Sequence, residues 1–392
     1  MQPSATLAMT QAAKDRIRLG YPVIGLSAGE PDFDTPAEIS EAGIQAIRDG
    51  HTHYTNNLGL PELREALAAK LEKDNGLHYD PNQIICSNGA KQSIAQAVTV
   101  LCREGDEVLI PAPYWVSYPE MVRFAGADPV AIPTTVESDY LLTADQLEGA
   151  ITPRTRLLIL CSPSNPTGGV YSSQQLGDLA AVLMRHPDVF VISDEIYEHI
   201  IYDAEHRSMA SYPGMKDRTL TVNGFSKAYA MTGWRLGFMA ADPMIIKAAG
   251  KLQSQLTSAP STIAQKAGIA ALKMDPSVVQ QMVDSFRSRR DLMLERLAQI
   301  PGLVCPIPQG AFYLFPDIAE WLGSTTPSGK VIETSEDLCF YILESHNVAL
   351  VPGQAFGAPT GIRISYAASE SDLMTACDRL DDAFSQLQRP KA

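Results

Sequence analysis

Two apolar runs constrain this chain more than any other feature. Arg156-Leu157-Leu158-Ile159-Leu160-Cys161 and Val189-Phe190-Val191-Ile192-Ser193 show no alternation of polar and apolar residues. A strand apolar on both faces must be covered on both faces, as happens in a parallel sheet wrapped by helices. Helical periodicity fills the interval between them (about 173–185). Shorter runs, Gln83-Ile84-Ile85-Cys86-Ser87, Glu107-Val108-Leu109-Ile110 and Thr219-Leu220-Thr221-Val222, continue the alternation. The predicted fold class is α/β, with a large domain built on a mostly parallel sheet. Ligands in such folds sit beyond the carboxyl ends of the strands. Trp115, Asn165, Asp194, Tyr197 and Lys227 all fall at or just past such ends.

Elsewhere the pattern predicts helices over residues 4–19, 37–49, 62–75, 92–101 and 143–151, and a strand over 21–27. The chain after Arg235 reads as helical. A long Arg-rich helix, about 276–299, is expected to cross into a second, smaller α+β domain with strands at 310–315, 348–353 and 361–366. The expected division is 1–36 as an N-terminal segment joining the small domain, 37–285 as the large domain and 286–392 as the small one.

At 392 residues with a net charge of −14, the chain lacks the clustered positive charge that nucleic acid or an anionic membrane demands. No apolar run approaches the ~20 residues of a membrane span. Met1-Gln2-Pro3-Ser4-Ala5-Thr6 does not read as a secretory signal, so a cytoplasmic location is expected, an organelle remaining open if a transit segment was removed. Cys86, Cys102, Cys161, Cys305, Cys339 and Cys377 are dispersed, as befits reduced thiols. No metal-ligand spacing stands out, and no metal is expected.

Lys227 lies just past a strand among Phe225, Tyr229 and Met231, with Arg235 eight positions on. Partial desolvation lowers a lysine's pKa and leaves a nucleophilic amine, able to form a Schiff base with an aldehyde cofactor whose phosphate a guanidinium could hold. A surface lysine is the plainer alternative. The strand–turn–helix around Gly89, Ala90 and Lys91 offers free N–H groups to one phosphate or carboxylate, without a dinucleotide pattern. Gly29, in the turn-rich stretch 28–36, lets backbone approach a ligand. Arg363 interrupts an apolar strand and needs an anionic partner, either an internal carboxylate or a substrate's. Asn165 is either a turn residue or a donor to ligand, and Tyr54 either packs or serves a site.

Four stretches carry a family resemblance: Ala28-Gly29-Glu30-Pro31-Asp32, Ser162-Pro163-Ser164-Asn165-Pro166-Thr167-Gly168, Asp194-Glu195-Ile196-Tyr197, and Ser226 to Arg235. In order and spacing they resemble the class I aminotransferases, fold-type I enzymes that use pyridoxal 5'-phosphate. The resemblance implies that Lys227 is the Schiff-base lysine and that Asp194 pairs with the pyridinium nitrogen. It implies that Asn165 and Tyr197 contact the ring's 3′-oxygen and that Trp115 stacks on the ring. Arg235, Ser226 and the Gly89-Ala90-Lys91 turn correspond to the phosphate cradle, joined by Tyr54 from the other subunit of a homodimer. Arg363, with Asn165, Trp115 and Gly29, corresponds to the α-carboxylate site. One departure is Gly224, where many relatives carry a phosphate-touching serine. Pro3-Ser4-Ala5-Thr6 and Ser87 to Gln92 look closest to the bacterial and plant branch that includes glutamate/aspartate–prephenate aminotransferases. There Thr6 and Lys91 correspond to readers of the distal acid. The implied reaction is transamination between aspartate or glutamate and 2-oxo acids, prephenate to arogenate included; a same-fold lyase acting on a cysteine- or methionine-derived substrate is the alternative.

Overall fold

A computed structural model describes residues 5–389, with side chains from residue 8 onward. Seven strands form the main sheet in the order Ile84–Ser87, Gly237–Ala240, Thr219–Gly224, Phe190–Asp194, Thr155–Cys161, Glu107–Ala112, Asp128–Pro133. The last five of these run parallel to one another; Gly237–Ala240 is antiparallel to both its neighbours. The two-sided apolar runs sit at the middle. Leu157 and Ile159 pack against Ile94, Val98 and Ile246 on one face, whereas Leu158 and Leu160 pack against Leu176, Leu179 and Leu183 on the other. Each fully buried leucine or isoleucine contributes roughly 1.5–3 kcal/mol. A third cluster joins Ile84, Phe238 and Ala240 to Leu63, Leu67 and Ala267 of the helices Pro61–Asn75 and Thr262–Lys273. Capping boxes at Ser172 and Thr143 start the helices that cover the second face.

Register sets the functional edge. Cys161 lies opposite Asp194, and Asp194 opposite Val222. Thr155–Cys161 and Phe190–Asp194 therefore end at one level, and Thr219–Gly224 runs on past Val222 toward Lys227 on the same side.

A separate core unites Met9, Ala13, Tyr313, Leu314, Ile362, Ile364, Leu338, Leu380 and Phe384. It is built on an antiparallel sheet of Val351–Pro352, Ile362–Ser365 and Tyr313–Leu314, and on the parallel pair Ile24–Gly25 with Val348–Ala349. The helix Pro276–Leu297 packs Val278 and Val279 on the third cluster and Phe286, Met293 and Leu297 in this one.

Several expectations need correction. The chain after Arg235 enters a strand, Gly237–Ala240, and only then the helix Pro243–Leu256. Four apolar residues between Gly237 and Asp242-Pro243 are too few for periodicity to separate strand from helix. The strand expected over 21–27 forms only at Ile24–Gly25, and that over 310–315 only at Tyr313–Leu314, with Gly310 making an isolated bridge to Ile201. The run 348–353 divides between two sheets at Leu350. The helix Tyr118–Phe124 and the strand Asp128–Pro133 were not anticipated. Among the described residues, no helix is long and apolar enough to cross a membrane.

Candidate active site

A cavity of about 420 Å³ opens where the carboxyl edge of the main sheet meets the second core. Gly29, Ala90, Lys91, Trp115, Asn165, Asp194, Tyr197, Ser226, Lys227, Arg235 and Arg363 all line it. Gly89 stands just behind, as the residue preceding the helix Ala90–Leu101, with the Arg235 guanidinium packed against it. Tyr54 is apart from the cavity and 96% exposed. The Thr6 side chain, like Pro3 and Ser4, lies outside the described residues.

Lys227 follows the strand Thr219–Gly224 and is held in place by a neighbouring loop. Its ammonium donates to the Gly29 carbonyl at 2.5 Å. Burial lowers its pKa from the ordinary 10.5 to about 8, assisted by Arg363 and Arg235, while Glu30 and Asp194 oppose the fall. The turn between Lys227 and Arg235 is strained, for Ala230 (φ 49°) and Arg235 (φ 56°) are both left-handed. Each such residue costs of order 1–3 kcal/mol. Thr35 donates to the Ala230 carbonyl (2.6 Å), Thr232 to Glu30, and Arg235 to the Thr232 carbonyl (2.8 Å), which holds the turn against the stretch 28–36. Arg289 in turn grips Asp32 with two bonds, 2.6 and 2.9 Å.

Asp194 is 3% exposed. Burial raises its pKa to about 6, against the lowering effect of the Tyr118 hydroxyl, which donates to Oδ2 at 2.6 Å. Beside it, the Gly89–Ala90 backbone abuts Gly237 so closely that a Cβ there would lie 2.4 Å from the Ala90 nitrogen. Glycine is required at that crossing. A Cβ on Gly224 would stand 3.0 Å from the Leu236 carbonyl oxygen, so the serine that the family resemblance leads one to expect there has little room in this arrangement. Lys91 sets its ammonium over the Trp115 ring, 4.8 Å from the centroid, and partial burial with Arg235 lowers its pKa.

Arg363 decides what the cavity is for. It is 2% exposed, donates to Asn165 Oδ1 (3.0 Å) and to the Ser27 carbonyl (2.6 Å), and leaves Nε buried without a partner. No carboxylate pairs with it among the described residues. A buried guanidinium so left is costly unless an anion arrives.

The family model for class I and II aminotransferases matches residues 21–380. A Petunia hybrida bifunctional aspartate aminotransferase and glutamate/aspartate-prephenate aminotransferase is 56% identical over 100% of this chain and 82% of its own. A Cereibacter sphaeroides aspartate/prephenate aminotransferase is 46% identical over 97% of this chain and 96% of its own. The crystal structure of a Rhizobium meliloti aspartate aminotransferase superposes with a TM-score of 0.96 at 46% identity, covering 99% of this chain and 98% of that one. The chain belongs to the class I and II aminotransferases.

This aminotransferase is a pyridoxal-phosphate enzyme of fold-type I, and the cavity fits that cofactor. It offers a buried amine of lowered pKa, a buried carboxylate across from it, and a helix N-terminus beside Arg235 for the phosphate. Two tyrosines escaped the sequence reading. Tyr118 holds Asp194, and Tyr313 bonds Tyr197 through their hydroxyls at 2.8 Å. Neither carries a sequence mark, since a tyrosine in an apolar context reads as packing. Behind the site, Glu195, Glu198 and His206 approach to within 4.8 Å of one another, a grouping that residue spacing did not reveal. Their carboxylates are already engaged: Glu195 by Ser193, Ser208 and His206, Glu198 by Lys70, Asn75 and Asn223. The arrangement is a hydrogen-bonded buttress.

Proposed function

We propose that this aminotransferase passes the amino group of aspartate or glutamate to 2-oxo acids, among them prephenate, which it converts to arogenate. The observation that carries the reading is Arg363, a buried guanidinium with no carboxylate partner among the described residues, facing the same cavity as Lys227. The relatives' activities support the substrate class, as does a Thermus thermophilus aspartate aminotransferase solved with maleate, a dicarboxylate (TM-score 0.92, 41% identity). The relatives named above are aminotransferases, which does not favour the lyase.

Bound pyridoxal phosphate supplies the carbonyl that takes up the amine and the ring that accepts electrons from the substrate's Cα. The protein's residues do the rest. With a pKa near 8, roughly a tenth of the Lys227 amines are neutral at pH 7, far more than for a free lysine. Once displaced, that amine is the base that takes the substrate's Cα proton. Asp194 sets a negative charge against the ring nitrogen, with Tyr118 steadying its ionised form. Asn165 accepts from Arg363 through Oδ1, so its amide nitrogen is the part left to donate to the ring oxygen alongside Tyr197. Arg363 clamps the α-carboxylate in a fork, and Lys91 meets the distal acid as a point charge tolerant of different lengths. Thr6 is assigned beside Lys91 by resemblance alone. Trp115 stacks on the ring. Arg235, Ser226 and the Gly89-Ala90 backbone take the phosphate.

The same reading includes a homodimer, because Tyr54 is too exposed to serve its own site and suits the other copy's. It places the domain boundary at 285/286, within the helix that joins the two cores. The six unpaired cysteines suit a reducing compartment, the cytoplasm or an organelle.

The test is a pair of half-reactions. The cofactor's absorbance is followed as aspartate, glutamate or phenylalanine is added to the loaded protein, then as prephenate or 2-oxoglutarate is added. Loss with the acidic amino acids and recovery with prephenate is the expected result. Recovery with 2-oxoglutarate or oxaloacetate alone would restrict the enzyme to aspartate transamination. No loss with any donor would overturn the reading.

A further inference from the structure

We infer that Tyr313 is a positioning residue acting through Tyr197: its hydroxyl donates to the Tyr197 oxygen and so turns the Tyr197 proton outward, into the cavity. The inference rests on the assignment of Tyr197 to the cofactor's ring oxygen.

Both rings are buried, both line the cavity, and their oxygens are 2.8 Å apart. Two hydroxyls bring two protons to one shared bond. Whichever oxygen accepts keeps its own proton for another partner. If Tyr197 donated to Tyr313, it would offer a lone pair to an anionic ligand oxygen and repel it. If Tyr313 donates, Tyr197 can donate onward, and each bond in such a chain strengthens the next.

The surroundings select the second arrangement. The Arg363 guanidinium lies over the Tyr313 ring, 4.6 Å from its centroid, and a cation on a ring's face makes its hydroxyl the better donor. The Lys227 ammonium is farther from the Tyr197 ring, at 5.7 Å, and is more easily neutralised. Burial raises both phenols and Arg363 opposes the rise at both, but it ranks just after burial at Tyr313 and last among the causes at Tyr197, which goes well above its usual value. The Tyr313 hydroxyl is also fixed in place. It occupies the space a side chain at residue 29 would need, for a Cβ on Gly29 would meet it at 2.7 Å. Backbone pairing of Tyr313 with Ser365 anchors it beside Arg363 on the adjoining strand.

The experiment is a double-mutant cycle of Tyr197→Phe and Tyr313→Phe on the holoenzyme. It is read as the pH midpoint of the absorbance of lysine-bound pyridoxal phosphate and as the affinity of the cofactor-free protein for pyridoxal phosphate. Tyr197→Phe is expected to raise the midpoint. Tyr313→Phe is expected to raise it by roughly half to one pH unit and weaken cofactor binding about 3- to 10-fold, the effect of one neutral hydrogen bond. In the Tyr197→Phe background, Tyr313→Phe should add nothing, because its path is gone. An unmoved midpoint in Tyr313→Phe, or the same shift whether or not Tyr197 is present, would overturn the inference alone. A silent Tyr197→Phe would overturn the assignment of Tyr197 and the inference with it. Gly29→Ala, whose Cβ would meet the Tyr313 hydroxyl at 2.7 Å and so tilts ring and hydroxyl together while keeping the oxygen, is the second variant and must move the midpoint upward as well.

Discussion

Replacing Lys227 with methionine should abolish transamination and, in the cofactor-free protein, increase stability. Methionine matches the lysine stem in volume and needs no proton. The lysine's pKa falls from 10.5 to about 8 on burial. At about 1.4 kcal/mol per pKa unit, keeping it charged at pH 7 costs the folded state about 3 kcal/mol. Loss of its bond to the Gly29 carbonyl returns about 1 kcal/mol, leaving a net gain near 2 kcal/mol. In urea, with a slope of about 3 kcal/mol/M or more, the midpoint should rise by about half a molar, at fixed protein concentration. The pH dependence carries the sign. Between about 8 and about 10.4 the unfolded lysine holds a proton that the folded one has lost, so the wild type gains stability as pH rises through that window. The advantage of Lys227→Met is therefore full below pH 8 and gone above about 10.4. A variant less stable at pH 7, or one whose advantage persists at pH 11, would refute the argument from desolvation.

Tyr118→Phe should push Asp194 above its present value of about 6 by roughly one unit, the loss of one hydrogen bond to a charged group. A carboxyl raised on folding binds more protons folded than unfolded, so stability falls as pH climbs from about 3.9 to about 6 in the wild type, and on to about 7 in the variant; unfolding free energies between pH 4 and 8 measure it. Gly237→Ala, whose Cβ would stand 2.4 Å from the Ala90 nitrogen, should cost about 2 kcal/mol of stability and loosen pyridoxal phosphate at least tenfold, measured by equilibrium dialysis. Lys91→Ala should raise KM for aspartate and prephenate about tenfold or more while sparing a monocarboxylate donor; unchanged kinetics with both acids would exclude Lys91 from distal recognition. Arg363→Lys should lower kcat/KM about a hundredfold for every amino-acid donor, because an ammonium cannot reproduce the fork.

Legibility followed physical cause. The strands Thr155–Cys161 and Phe190–Asp194 were readable because burial on both faces leaves no polar alternation in the sequence. That same topology directed attention to the strand ends, and Trp115, Asn165, Asp194, Tyr197 and Lys227 do share one cavity. Gly237–Ala240 was misread because a strand in a reversing hairpin is too short to show a period. Ile24–Gly25 and Val348–Ala349 pair with each other across more than three hundred residues, and only the tertiary fold decides where that pairing stops. Tyr118 and Tyr313 illustrate a different failure. Each gains meaning from one hydroxyl placed against a partner on another element, a relation that local sequence does not encode. Arg363 was legible as an anomaly, while the choice between an internal and an external anion needed the three-dimensional inventory of carboxylates.

That inventory also explains how a chain with a net charge of −14 can select anions. The cavity is lined by Lys91, Lys227, Arg235 and Arg363 against only Glu30 and Asp194, so its local field opposes that of the molecule as a whole. Low-dielectric walls concentrate such a field, whereas exposed acids elsewhere are screened within about 10 Å at 0.1 M salt. Burial drives Lys227 and Asp194 toward neutrality from opposite directions, which leaves the Lys227 amine able to exchange a proton near neutral pH. Arg363 has no such outlet, since a guanidinium stays charged throughout this range. Arg235 is exposed and bears little desolvation cost, so the uncompensated charge is that of buried Arg363, which a bound anion relieves. On the proposed reading an α-carboxylate meets that demand at Arg363, with a phosphate at the helix N-terminus and a second carboxylate at Lys91. On that reading, selectivity for acidic amino acids comes from charge left uncompensated in the free protein.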